Sequence, residues 1–140
     1  MVKEEQIVQE PVTMDPWVMY VVINTDLHMS VGKVGATTGH GVQFFMKSYY
    51  EAREIELPSS NTASLLHDAD AWFGSDYRKI LVGATTREIE NKIALLELRH
   101  FSVIDAGFRD VPKGSLTGIV FWPVQKSNAP KLLKRLRLLE

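Results

Sequence analysis

Residues able to do chemistry gather in three places along this 140-residue chain. The first runs from Asp26 to Gly41, where Lys33 stands among Gly32, Gly35, Gly39 and Gly41 and His40 follows. A lysine at a glycine-rich helix start suits an anion, because the first N–H groups of a helix have no intrahelical partner and carry partial positive charge. The spacing is not that of a nucleotide-hydrolase loop. Such a loop sets four residues between its first glycine and a Gly-Lys continued by Ser or Thr, whereas Val34 follows Lys33 here. The second place is Asp105, at the end of an apolar run. The third is Gly114-Ser115-Leu116-Thr117-Gly118, which does not match the nucleophile elbow of serine hydrolases, so Ser115 reads as a turn residue. Asp26 and Asp105 both fall where strands should end, which is where open α/β sheets bind ligands. Convergence of Lys33, Asp26 and Asp105 on one sheet edge would make a charged site; the commoner use of such aspartates is as caps and turn formers.

Other chemistries are excluded by what the chain lacks. It has no cysteine, which removes thiol nucleophiles, disulfide scaffolds and thiolate zinc sites and suits a reducing cytoplasm. His28, His40, His67 and His100 show no paired spacing with a carboxylate that would hold a metal. The net charge of −1 gives no global attraction to nucleic acid, so such binding needs a local basic patch. One exists at the C-terminal end: Lys126, Lys131, Lys134, Arg135 and Arg137 stand against Glu140 alone. Residues 52–76 have the opposite sign, with Arg53 against Glu54, Glu56, Asp68, Asp70 and Asp76. Trp72, Phe73, Tyr77, Phe108 and Trp122 read as core or rim rather than as base-stacking platforms.

The elements that must position these groups follow from pattern. Trp17 to Ile23 is apolar, β-branched and aromatic at strand length, a strand buried on both faces. It is far shorter than the roughly 20 residues a membrane span needs, and residues 1–10 lack the order of charge and hydrophobicity of a secretory signal. Lys79 to Ala84 repeats the strand pattern, and Thr85 with Glu88 three residues later forms a capping box that starts a helix. Ile89, Ile93 and Leu96 carry that helix to about Arg99; Phe101 to Ile104 and Leu116 to Trp122 are further strands. From Ser127 onward, Leu132, Leu133, Leu136 and Leu139 share one helical face. Glycine at Gly35 and Gly39 disfavours a helix, which implies close approach of another element or a ligand. Residues 1–16 read as a flexible tail, and 17–140 as one α/β domain of about four strands with helices on both faces and an acidic insertion near 52–76.

Three stretches, in order, resemble the class II peptidyl-tRNA hydrolase family. They are Tyr20-Val21-Val22-Ile23-Asn24-Thr25-Asp26-Leu27-His28-Met29, then Gly32-Lys33-Val34-Gly35-Ala36 with His40, then Ile104-Asp105-Ala106-Gly107 with Gly114-Ser115-Leu116-Thr117. The resemblance covers roughly Val18 to Leu139. It implies a four-stranded mixed sheet and hydrolysis of the ester joining a peptide, or a blocked aminoacyl group, to tRNA, with no metal or organic cofactor. By that resemblance Lys33 is the cation near the ester or adjacent phosphate, and Asp105 orients Lys33 or polarises water. Asp26, His40, Ser115 and Thr117 match further family positions and would line the same cleft; Arg109, with Lys113 and the basic tail, would supply substrate contacts.

The chain departs from the family pattern at four points, the first being that the family's Gly-Lys-Gly-Lys run is Ser30-Val31-Gly32-Lys33 here, with Val31 in place of a lysine. The lysine of Asp-Leu-Lys-Met is His28, the helix glutamine is Thr37, and Arg-Thr-Gln after Asp-Ala-Gly is replaced by Phe108-Arg109-Asp110. These losses leave open a second reading, a relative that keeps the fold and acts as a catalytically inactive binding module. The expected setting is cytoplasmic with a tRNA ester as partner and no membrane, and an exposed apolar strand edge makes a homodimer reasonable.

Overall fold

The computed structural model describes residues 15–107 and 111–140. The first apolar run forms β1 (Trp17–Asn24), buried from its second residue onward. Its side chains alternate between two cores, as the pleat of a strand requires. Val18, Tyr20 and Val22 enter one with Ile89, Ile93, Ile119 and Leu133; Met19, Val21 and Ile23 enter the other with Phe45, Trp72 and Trp122. A strand apolar at every position therefore demands cover on both faces, and the rest of the chain supplies it.

After β1 come a 3-10 turn (Thr25–Leu27), α1 (Val31–Arg53), α2 (Ser60–Phe73), β2 (Lys79–Ala84), α3 (Thr86–Asn91) and a second 3-10 turn (Ile93–Leu95). The chain continues through β3 (His100–Ile104), β4 (Leu116–Phe121), β5 (Val124–Gln125), α4 (Lys131–Arg135) and β6 (Arg137–Leu138). The sheet runs β3-β4-β1-β2-β6, with β5 pairing β1. β1 and β2 are parallel, Met19 facing Lys79 and Asn24 facing Ala84, and the remaining pairs are antiparallel. The mixed α/β architecture is the expected one. The sheet has six strands rather than four, because β5 and β6 are two-residue pieces, too short to show an alternation in sequence.

Helices α1 and α2 cover one face, while α3, the second 3-10 turn and α4 cover the other. Trp122 donates its indole N–H to the Leu65 carbonyl at 2.8 Å, fixing the acidic stretch to the sheet near the start of β1, where β5 pairs Trp17 and Val18. The capping box forms as read: Thr85 accepts from the Glu88 N–H, and Glu88 accepts from the Thr85 N–H.

Three local readings need correction. The helix begun at Thr85 ends at Asn91 rather than near Arg99, since Lys92 leaves helical geometry at φ −132° and ψ −52°. A 3-10 turn takes over and still delivers Ile93 to the core beside Ile89. The C-terminal helix stops at Arg135, and Leu136 is extended. The open edge of β2 captures the chain beyond Leu136, Leu139 N–H donating to the Leu81 carbonyl at 2.9 Å. Leu139 therefore packs in the α1 core, not with Leu132, Leu133 and Leu136. Finally, Gly35 and Gly39 face open space, and the close approach lies at Gly41, where an added Cβ would stand 2.0 Å from Val120 Cγ2.

Candidate active site

Two of the candidate residues, Lys33 and Asp105, meet where β3 ends and α1 begins. Ser30 caps α1, its hydroxyl accepting from the Lys33 N–H at 3.2 Å. The cap puts Lys33 in the first helical turn, where the positive end of the helix dipole disfavours a cation and where α1 has no acidic residue to offset it. Compensation comes from across the sheet: Lys33 Nζ donates to Asp105 Oδ1 at 2.6 Å. Both side chains are sheltered, 14% and 9% exposed.

Asp105 is held as firmly as its partner. Its second oxygen accepts from the Gly107 N–H at 2.6 Å, its own N–H donates to the Ser115 carbonyl at 2.8 Å, and its carbonyl accepts from Gly114 N–H at 2.9 Å. Gly107 and Gly114 both take φ +86°, a conformation that glycine adopts without strain. The Lys33 hydrogen bond, opposed by desolvation and helped by Gly107, the Lys33 charge and the charge of His40, holds the Asp105 carboxyl below the ordinary carboxylate range. His40 thus lies within electrostatic reach of the pair, two turns along α1. An ammonium has three donors, and Asp105 takes one of Lys33's.

The other expected residues are placed differently. Asp26 does not join the pair; Oδ2 accepts from the Thr86 N–H at 2.9 Å and so ties the end of β1 to the start of α3. Thr117 is buried and donates to the Val103 carbonyl at 3.1 Å. The cause is a register shift between Val103 and Ile104, which pair with Gly118 and Leu116 and leave Thr117 unopposed, a bulge of the kind that re-aims side chains beside functional sites. Ser115 donates to the Pro112 carbonyl at 2.7 Å and lines a cavity of about 580 Å3 with Asn24, Thr86 and Glu90. Ser115 and Thr117 thus direct their hydroxyl protons to backbone carbonyls rather than to the pair. Arg109 lies outside the described residues.

Sequence reasoning assigned no role to Asn24, which organises this end of the sheet. Its amide is 2% exposed, donates to Thr86 Oγ1 at 2.7 Å and to the Leu116 carbonyl at 2.8 Å, and accepts from the Asp26 N–H at 3.0 Å. The signal was present: a carboxamide closing an otherwise apolar strand must find partners or remain a costly buried polar group. Among the described residues, no three His, Asp or Glu side chains gather to hold a metal ion, and no helix is long and apolar enough to cross a membrane.

A sheltered ion pair whose cation keeps donors that no described residue takes is suited to stabilising negative charge that develops on a reacting oxygen. The arrangement has a family context: a family model described as peptidyl-tRNA hydrolase PTH2 matches residues 17–139.

Proposed function

Because the chain belongs to the peptidyl-tRNA hydrolase PTH2 family, we propose that it hydrolyses the ester joining a peptide, or a blocked aminoacyl group, to the terminal ribose of tRNA. The observation that carries the reading is the 2.6 Å contact between Lys33 Nζ and Asp105 Oδ1. In the reaction, water adds to the ester carbonyl carbon and gives up a proton, the carbonyl oxygen becomes an oxyanion, and the carbonyl re-forms as the bond to the ribose oxygen breaks and that oxygen takes up the proton water gave. The free donors of Lys33 face the oxyanion. A preorganised donor there is worth roughly 3 kcal/mol of barrier.

Asp105 is a positioning residue in this scheme rather than a general base. Both its oxygens are occupied, by Lys33 and by the Gly107 N–H, and its lowered pKa makes it a poor proton acceptor. Its work is to aim the lysine. The helix surface beside the pair leaves room for a substrate, since Ala36 and His40, one and two turns on from Lys33, are exposed. His40 contacts the substrate on this surface. The cationic residues of 126–140 offer phosphate contacts that the net charge of the whole chain conceals.

The test is release of free tRNA from an N-blocked aminoacyl-tRNA by the purified protein, beside Lys33→Ala of verified fold. Turnover that disappears in Lys33→Ala supports the hydrolase. Tight, salt-sensitive tRNA binding without release above background overturns it in favour of the binding module.

A further inference from the structure

The first turn of α1 has a second occupied side. Lys33 reaches towards Asp105, which follows β3 at one edge of the sheet, while Leu139 follows β6 at the other. Between that turn and Leu139 lies a hollow of about 450 Å3, walled by Ile23, Met29, Val31, Val34 and Leu139. The volume falls in the range of small-ligand pockets, roughly 300–1,000 Å3. These five side chains make most of the wall apolar, and Asn24, Thr25, His28 and Glu140 complete it.

Val31 is the telling residue. It is the first residue of α1 and 91% exposed, so the core gains nothing from it, and a β-branched side chain adds nothing to helix propensity. Two residues later in the same turn stands the lysine assigned to the ester. A peptidyl ester has two chemically distinct parts that meet at the carbonyl, a polyanionic nucleic acid and an uncharged, often apolar acyl chain. The turn divides the surface in the same way, with the charged pair towards β3 and the apolar hollow towards β6.

We propose that this hollow is the acyl subsite, receiving an apolar side chain of the peptidyl group while Lys33 faces the ester. The proposal rests on the hydrolase reading and adds to it a substrate preference set by Val31, Val34 and Leu139. Burial of a few methylenes in such a site discriminates on the order of tenfold or more.

The experiment compares kcat/KM for one tRNA carrying either N-acetylleucine or N-acetylglycine. Each ratio is taken within one protein preparation, so that folding and active fraction cancel. The unmodified protein should prefer the leucyl ester by about tenfold, and Val31→Ser should bring the ratio to about threefold or less. Leu57→Ser, which alters a residue 92% exposed in the loop between α1 and α2, should keep the full preference. Equal rates on both esters in the unmodified protein overturn the subsite and leave the hydrolase standing. An undiminished preference in Val31→Ser also overturns it, and puts the acyl preference elsewhere on the protein. Cleavage of neither ester overturns the hydrolase reading and the subsite with it.

Discussion

Helix α1 carries an ion pair at each end, and the two are built for different purposes. At its start Lys33 meets Asp105 with both side chains sheltered, 14% and 9% exposed. At its last residue Arg53 meets Asp70 of α2 with side chains 47% and 42% exposed. Twenty residues of helix separate them, roughly 30 Å. The outer pair is the richer in contacts: Tyr49 donates to Asp70 at 2.7 Å, Arg53 donates to the Tyr49 oxygen at 3.0 Å, and the guanidinium lies 5.5 Å from the Tyr49 ring centre. Burial works to raise the Asp70 carboxyl, yet the bonds from Tyr49 and Arg53 outweigh it and leave it lowered. The Tyr49 hydroxyl and two guanidinium nitrogens of Arg53 are directed at the clasp between the two helices. The inner pair has fewer partners and keeps donors in reserve. An exposed pair contributes little to stability, and what distinguishes the inner pair is that, among the described residues, its cation keeps donors without a partner in a sheltered place.

The comparison can be broken most severely at Lys33. Lys33→Ala is expected to lower kcat by about 100- to 1,000-fold, the cost of losing one oxyanion donor, as read by tRNA release from a blocked aminoacyl ester. Asp105→Asn should cost about a hundredfold, since an amide retains an acceptor for Gly107 but no longer aims the ammonium, and misplacement of about 1 Å costs that much. The sign of its pH dependence comes from the lowered pKa of Asp105. The ionised form is favoured in the folded protein, so its contribution to stability is present above the unfolded value of about 3.9 and is lost as pH falls through the lower folded value. The difference in Tm between the unmodified protein and Asp105→Asn should therefore be constant near neutrality and shrink below about pH 4.

Gly41→Ala tests the helix that joins the two pairs. The new methyl would meet Val120 Cγ2 at 2.0 Å and its Cβ at 2.7 Å. Overpacking of this kind costs about 1–3 kcal/mol, visible as a fall of several degrees in Tm, and by lifting α1 from β4 it should weaken activity as well. The smallest effect belongs to the outer pair. Asp70→Asn should shift the melting curve slightly and leave tRNA release unchanged; a large loss of activity there would erase the distinction between the pairs.

How much of this was legible in the sequence depended on whether a residue's role was local. The Thr85 and Glu88 box and the apolar run of β1 act over three or four residues and could be read directly. The pairing of Lys33 with Asp105 spans 72 positions and was reachable through the family resemblance and because strand ends of an open α/β sheet converge. Asp26 was misplaced within that reasoning, because whether a carboxylate at a strand end turns towards α1 or towards the start of α3 depends on Thr86, whose N–H it takes. The tail failed for a similar reason. Leucines at 132, 133, 136 and 139 fit a helix, but the vacant edge of β2 offers Leu139 a hydrogen bond that no local pattern encodes. The bulge that turns Thr117 into the interior, and the three bonds of Asn24, likewise depend on partners far along the chain.

The central claim, that Lys33 and Asp105 act as one catalytic unit, is tested most directly by a double-mutant cycle on kcat/KM for N-blocked aminoacyl-tRNA. The unmodified protein is compared with Lys33→Ala, Asp105→Asn and the double variant, each of verified fold. If Asp105 works by aiming Lys33, the double variant is no slower than Lys33→Ala alone, because residues that act as a unit are not additive. Losses that multiply, or an unmodified protein that releases no tRNA, would contradict that claim.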